Sequence, residues 1–395
     1  MMKQFLLSFL LLLPFMASAE PIEIDGIYYN LIKKGNFAEV TSNPEKYSGI
    51  IEIPKEVIYM NDRYDVTAIG ESAFEGCNIE SVTIPNSVTT IGRAAFWASS
   101  LTEIIIPNSV TSIGRQAFEI CTSLSSVIIP NSVIVIGNSA FNATSIKSVT
   151  IPESVTTIEA YAFSNCNKLE AVYITDLEAW CNISFGSESA NPLHFAHHLF
   201  LNDLELTTLD IPNSVTFIGR FSFIECQGLL SVNIPSSITY IGSSAFYGCT
   251  GLTSIDIPNS VTSIHDEAFK DCSELSSVSI GKGIKKISNE AFANCQQLND
   301  VYCYAEEVPV SEENTFDNAY IDYATLHVPE KSVNSYKSTE PWNGFKEVVP
   351  LETTRIDAIT HNPEENKIKY NLNGQRVDNT QKGIYIHNNK KIIIK

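Results

Sequence analysis

One apolar pattern recurs at intervals of 22 or 23 residues along most of the chain, and no other feature limits the possible folds as strongly. Units such as IPNSVTTIGRAAF and IPNSVTSIGRQAF repeat isoleucine, proline, valine and phenylalanine at fixed places. Repeats of this length are typical of solenoids, because one coil cannot bury its apolar face without neighbours. Nine units share one frame, set by Phe74, Phe96, Phe118, Phe141, Phe163, Phe223, Phe246, Phe269 and Phe292.

The residue order inside a unit predicts the path of one coil. Ile255 and Ile257 alternate with polar residues, which indicates a half-buried β-strand. Pro258 should end that strand, because proline has no amide hydrogen to donate. Phe269 should close the coil as a large buried ring. We therefore predict a right-handed solenoid of short parallel β-strands.

Sequence shifts divide the chain around the repeats. An apolar run ending in Ala17-Ser18-Ala19 predicts a signal peptide, and strand-like segments separated by turn residues predict an amino-terminal cap. A stretch rich in lysine at the other end predicts a small β module. The expected segments are a signal peptide at 1–19, a β cap at 20–60, repeats at 61–303, a second cap at 304–350, a linker at 351–366 and a tail at 367–395.

Seven of the nine cysteines follow the repeat phenylalanine by three residues. Disulfides are the first possibility in an exported protein. Stacked coils, however, point equivalent Cβ atoms in parallel rather than toward each other. Ser99 and Thr144 take the same place in two units. We therefore predict buried free thiols, packed as small apolar groups.

The spacing breaks once, where 37 residues instead of 23 separate Ile174 from Ile211. We interpret residues 175–210 as a structural loop whose aromatic residues Trp180, Phe185 and Phe195 cover the core. A metal-dependent enzyme is a weaker alternative, which would use His194, His197 and His198. Neither an HExxH motif nor a GxSxG motif is present, so we expect no catalytic residue, no metal and no cofactor.

The charge of the chain excludes other classes of ligand. A formal net charge of -19 argues against nucleic acid as a partner, because binding to phosphates needs clustered lysine and arginine. After the signal peptide, no stretch reaches the roughly 18 apolar residues of a membrane-spanning helix. The signal peptide and the lack of a later apolar stretch of this length together predict an exported protein that is not embedded in a membrane.

The unit IPNSVTSIGRQAFEICTSLSSVII closely resembles the BspA-like class of leucine-rich repeats, over roughly residues 50–303. This resemblance implies a leucine-rich-repeat solenoid on a bacterial surface, involved in adhesion to host proteins and other bacteria. Residues Asn373–Val377 and Lys382–Tyr385 resemble a type IX secretion sorting signal. That second resemblance implies the outer surface of a Gram-negative bacterium.

The outward positions of the predicted strands form the candidate binding face. They are mostly short and polar, with aliphatic and aromatic residues that could anchor a partner. We expect this face to bind protein or glycan on host or bacterial surfaces, with a structural spacer or a self-associating surface coat as the alternative. The oligomeric state stays open. The candidate residues are Glu103, Ile105, Ile128, Tyr173, Asp210, Asn233, Asp256 and Tyr302.

Overall fold

A computed structural model describes residues 20–351 and four strands between positions 369 and 394. The chain divides into two units, residues 1–351 and residues 352–395. The predicted signal peptide at 1–19 lies outside the described residues, and so does the linker predicted at 351–366 apart from its first residue.

Two interrupted stacks of parallel strands run along the first unit, and most coils contribute a strand to each stack. We name these stacks the first sheet and the second sheet. The first sheet contains β4 (Ser48–Glu52), β7 (Asn78–Thr83), β9 (Glu103–Ile105), β11 (Ser126–Ile128), β13 (Ser148–Thr150), β15 (Ala171–Ile174), β17 (Leu199–Leu201), β19 (Thr208–Asp210), β20 (Ser231–Asn233), β22 (Ser254–Ile257), β24 (Ser277–Ile280), β26 (Asp300–Cys303), β28 (Thr325–Val328) and β29 (Glu347–Pro350). The second sheet contains β3 (Phe37–Val40), β6 (Asp62–Ile69), β8 (Thr90–Ile91), β10 (Ser112–Ile113), β12 (Val135–Ile136), β14 (Thr157–Ile158), β16 (Ser184–Phe185), β21 (Tyr240–Ile241), β23 (Ser263–Ile264), β25 (Lys286–Ile287) and β27 (Val310–Ser311).

The repeat period fixes the register between coils. Strand β22 pairs with β24 in parallel, so that Ile255 lies beside Val278 and both side chains are buried. The ring of Phe246 stacks on that of Phe269 with centroids 5.3 Å apart. The amide of Phe246 also donates to the carbonyl of Ala268 in the next coil. The predicted solenoid and its phenylalanine core are confirmed.

The turn around each phenylalanine contains two residues in the left-handed region. In one coil these are Gln116 and Ile120, both with φ of 59°. This geometry aims the amides of the turn at the next coil, and Ile120 donates to Asn142 at 2.8 Å. Gly114 has another role, because a Cβ there would lie 2.6 Å from the backbone oxygens of Ile91 and Gly92. Glycine at this place allows close approach of coils rather than a positive φ.

Both ends of the array are closed by additional structure. At the amino end, β1 (Ile22–Ile24), β2 (Ile27–Ile32) and β3 form an antiparallel meander, and β5 (Glu56–Tyr59) pairs with β6. At the other end, Trp342 is fully buried and its ring meets that of Phe316 edge-on. Strands β28 and β29 continue the first sheet in parallel, so this end is itself made of stacked coils.

Residues 175–210, interpreted from the sequence as a structural loop, contain strands that pair with both sheets of the solenoid. Strand β16 pairs in parallel with β14, and β17 pairs in parallel with β15. The segment is therefore an atypical coil. A hairpin joins β17 to β18 (Leu204–Glu205).

The repeat phenylalanine is absent from this coil. The amide of Phe163 donates to Ser189, which puts Ala190 at the place of the ring. Trp180 and Phe185 are buried as predicted, whereas Phe195 is only half-buried. Different aromatic residues therefore fill this level of the core.

Short helices complete the first unit. The α-helices are α1 (Leu177–Cys181), α2 (Leu193–Ala196) and α3 (Val333–Lys337), and the 3-10 helices are Glu188–Ala190, Ile321–Tyr323, Glu330–Ser332 and Trp342–Gly344. Within the described part of the chain, no helix has the length and apolar character needed to cross a membrane.

The second unit contains an antiparallel sheet of four strands in the order β31-β30-β32-β33. These strands are β30 (Lys369–Tyr370), β31 (Arg376–Val377), β32 (Gly383–His387) and β33 (Lys390–Ile394).

Candidate binding surface

The outward side chains of the first sheet form one continuous surface, which we name the strand face. Alternation along each strand places Ile104 in the core and its neighbours Glu103 and Ile105 outside. Strand β11 repeats this arrangement, with Val127 inside and Ile128 outside. The period of two thus separates packing residues from surface residues in these two strands.

Two isoleucines form an exposed apolar spot on the strand face. Ile105 and Ile128 are direct partners in the register of β9 and β11. Their side chains are 66% and 56% exposed, respectively. Isoleucine is normally among the most buried residues, and single exposed examples are common. Two in register form a contiguous apolar surface, as expected from the sequence.

Acidic and amide groups occupy the later part of the same face. Asp210 is the register partner of Asn233, and the Asn233 amide donates to the Asp210 carboxylate. Asp256 is exposed in β22. All three candidate residues are accessible to solvent, so the structure places them on one sheet surface as the alternation predicts.

The two candidate tyrosines are half-buried, and the expectation that both side chains are exposed is wrong. The ring of Tyr173 stacks on Phe200 with centroids 4.9 Å apart. The ring of Tyr302 stacks on His327 at 4.3 Å. Both covering residues come from strands outside the regular repeat frame, β17 and β28, which the repeat pattern did not reveal.

His327 is a residue of this surface that sequence reasoning missed. Its Nε2 atom lies 3.0 Å from an Asp300 carboxylate oxygen on the neighbouring strand. Ile50 in β4 was also missed, and its side chain is 66% exposed at the amino end of the first sheet. The strand β4 precedes the regular units and its sequence SGIIE does not alternate, so neither signal indicated this position.

Within the described strands of the first sheet, the strand face carries carboxylates and no lysine or arginine, and His327 lies against Asp300. Its exposed or half-exposed acids include Glu103, Asp210, Asp256 and Asp300. The second sheet differs, because Lys286 lies on β25 and Lys285 immediately precedes it, both exposed. The first-sheet strands therefore carry carboxylates without lysine or arginine, while exposed Lys147 and Lys346 lie immediately before β13 and β29.

The three histidines of the atypical coil do not converge on one point. His198 Nδ1 lies 2.6 Å from Glu205, whereas His197 Nδ1 lies 3.8 Å from Glu225. His194 packs edge-on against Phe195. Among the residues that the structure describes, no group of three or more histidine, cysteine or acidic side chains could hold a metal ion.

The repeat cysteines are inaccessible as nucleophiles. All nine are free and buried, which confirms the predicted burial of the thiols. Burial raises the pKa of Cys121 and Cys166 to about 11 and that of Cys226 to about 12. Ser99 and Thr144 each lie within hydrogen-bond distance of the thiol of the next coil. The thiolate, which is the reactive form, is disfavoured.

A family model described as a BspA type leucine rich repeat region matches residues 54–170 and 194–322, in six copies. The chain belongs to the BspA-type leucine-rich repeat family. The BspA-type match extends beyond the regular units at the carboxyl end. It omits residues 171–193, where the atypical coil departs from the repeat.

Solved structures similar to this chain are also leucine-rich repeat proteins. A leucine rich cell surface protein from Faecalibacterium prausnitzii is 23% identical, with 84% of this chain and 95% of that chain covered and a TM-score of 0.41. A protein from Bacteroides ovatus is 22% identical, with 78% and 99% covered and a TM-score of 0.40. One from Bacteroides capillosus is 30% identical over 40% of this chain and 100% of that chain, with a TM-score of 0.27. No curated protein matches the chain.

Proposed function

We propose that this BspA-type protein is a non-catalytic adhesin of a bacterial surface, which recognises macromolecules of host or bacterial surfaces through its strand face. The observation that carries the proposal is the register of Ile105 with Ile128, which leaves two adjacent aliphatic side chains in solvent. Exposed apolar surface has a cost in water, and a contiguous patch of it commonly marks a site of association.

The surroundings of the isoleucines suit a binding surface. Ser126 and Ser148 are short and exposed, so a partner can approach the backbone of the sheet closely. A few well-packed apolar anchors provide most of the affinity in many interfaces. A solenoid built from one repeated coil holds such anchors on successive stacked strands, and this arrangement favours a large ligand over a small molecule.

The expected location supports the same function. The apolar run before Ala17-Ser18-Ala19 predicts export, and the motifs Asn373–Val377 and Lys382–Tyr385 resemble a sorting signal for the outer surface. Export to the outside of a Gram-negative bacterium would bring the strand face into contact with host tissue and neighbouring cells.

The test is a binding screen of the chain without residues 1–19 against extracellular-matrix proteins, mucins, glycans and whole bacteria. For any ligand found, the double variant I105S/I128S should bind about tenfold more weakly or worse, a loss of about 1.4 kcal/mol. The control is I134S, because Ile134 lies 47% exposed just before the second-sheet strand β12.

If I105S/I128S kept full affinity for the ligand and I134S lost affinity, the binding site would lie outside the strand face and the proposal would be refuted. Concentration-dependent assembly without any foreign ligand would instead favour the surface coat.

A further inference from the structure

The strand face combines an apolar spot with a row of carboxylates, and their arrangement restricts the partner further. We infer that the face takes an extended cationic segment of a protein, with an apolar side chain on Ile105 and Ile128 and basic side chains on Asp210 and Asp256. This inference rests on the proposed function and names the chemistry of the partner.

Charge complementarity supports a cationic partner. Asp300 on this face lies against His327, whereas within the described residues neither Asp210 nor Asp256 forms an ion pair, and both are exposed. Asp210 receives a hydrogen bond from the Asn233 amide, which keeps the carboxylate directed along the sheet. A neutral or anionic polymer would leave these carboxylates without a counter-charge, whereas arginine or lysine would pair with them.

The geometry favours a segment that runs across the strands. Of the first-sheet strands, β13, β15 and β17 follow β11 in the chain before β19. With parallel strands about 4.8 Å apart, the apolar spot and Asp210 are separated by on the order of 20 Å. An extended peptide spans that distance with roughly six residues. The proposed segment therefore has an aliphatic or aromatic residue and, about six residues away, a basic group.

The experiment uses synthetic peptides and the chain without residues 1–19. The first peptide has two leucines, a spacer of roughly six glycine and serine residues, and three arginines. The second has glutamines in place of the arginines. Affinities are measured calorimetrically at low and at high salt concentration, because screening weakens exposed charge pairs. The arginine peptide should bind at least about tenfold more tightly than the glutamine peptide at low salt.

Variants separate the site from the overall charge. D210N/D256N should remove most of the advantage of the arginine peptide and leave the glutamine peptide unaffected. The control E153Q/E274Q changes the net charge equally, at exposed residues outside the first-sheet strands, and should preserve that advantage. Equal binding of both peptides, no binding of the arginine peptide at millimolar concentration, or equal effects of the two charge variants would overturn the inference.

The inference can fail while the proposed function stands. In that case a ligand from the binding screen would lose affinity in I105S/I128S and keep full affinity, with no salt dependence, in D210N/D256N. Insensitivity of every screened ligand to I105S/I128S would refute the proposed function itself.

Discussion

The thiol of Cys272 donates a hydrogen bond to the backbone oxygen of Phe246, with sulfur and oxygen 3.2 Å apart. Cys249 and Cys295 make the same contact with Phe223 and Phe269, also at 3.2 Å. Each thiol thus satisfies a carbonyl of the preceding coil beside the stacked rings. The cysteines therefore link neighbouring coils through hydrogen bonds.

Folded protein should not react with a thiol reagent, whereas denatured, non-reduced protein should expose all nine cysteines as free thiols. The reason is that every thiol is buried and only the thiolate attacks. A colorimetric thiol assay before and after denaturation measures both values. Detection of linked cysteine pairs by mass spectrometry would contradict the prediction.

Stability should decrease as the pH rises from about 9 toward 11. Burial raises the pKa of Cys121 to about 11, above the ordinary value near 8.5. Between these values the unfolded chain releases the proton and the folded chain keeps it, so increasing pH favours unfolding. Urea denaturation under reducing conditions should show a smaller decrease for C121A than for the wild-type chain. Identical pH profiles of the two proteins would argue against a thiol contribution.

The variant F246A should lower the free energy of unfolding by about 3–5 kcal/mol, the range for removal of a buried aromatic ring. Phe246 is fully buried and stacks on both Phe223 and Phe269. Chemical denaturation monitored by circular dichroism is the measurement. The control F217A removes a ring that is 36% exposed and should cost clearly less. A loss of unfolding free energy below about 1 kcal/mol for F246A would contradict the assignment of this ring to the core.

The variant I120N should stabilise the protein by about 0.5–1 kcal/mol. Ile120 has φ of 59° and is 40% exposed, and a β-branched residue is strained in this region. Asparagine tolerates it, and Asn165 and Asn294 adopt φ of 57° and 60° at the same place in other coils. The melting temperature should rise, whereas I128N, a change in an extended strand, should not raise it. A lower melting temperature for I120N would show that its packing outweighs the strain.

The variant N191A should destabilise the chain by about 2–4 kcal/mol, because unpaired buried polar groups are costly. Asn191 is fully buried, donates to the Phe221 carbonyl at 2.8 Å and accepts from the Leu193 amide at 2.9 Å. Thermal denaturation and limited proteolysis near residues 185–205 measure the effect. The exposed Asn182 supplies the control N182A, which should change stability by less than about 1 kcal/mol. Equal effects of both variants would mean that the hydrogen bonds of Asn191 do not stabilise the contact between the atypical coil and the coil that contains Phe221.

The periodic part of the fold was predictable because each structural role in a coil has its own residue type. Phe269, Cys272 and Ile255 have the same roles in the structure as in the pattern. The atypical coil was not predictable, since Ala190 replaces the ring and helix α1 replaces part of the usual path. The predicted exposure of a candidate residue was wrong where the residue that covers it lies outside the repeat frame, as Phe200 does for Tyr173. Alternation within one strand shows which side chains point outward, and only the neighbouring strand determines whether they are covered.

The atypical coil has a mechanical consequence. Ring stacking connects Phe74 to Phe163 on one side of it and Phe223 to Phe316 on the other. Within residues 20–351, no aromatic contact joins Phe163 to Phe223. Coils in a solenoid are stabilised by their nearest neighbours, so a discontinuity in that coupling is where cooperativity is weakest. Under mechanical tension we expect the array to unfold at this junction first, so that the coils on its two sides unfold as separate units.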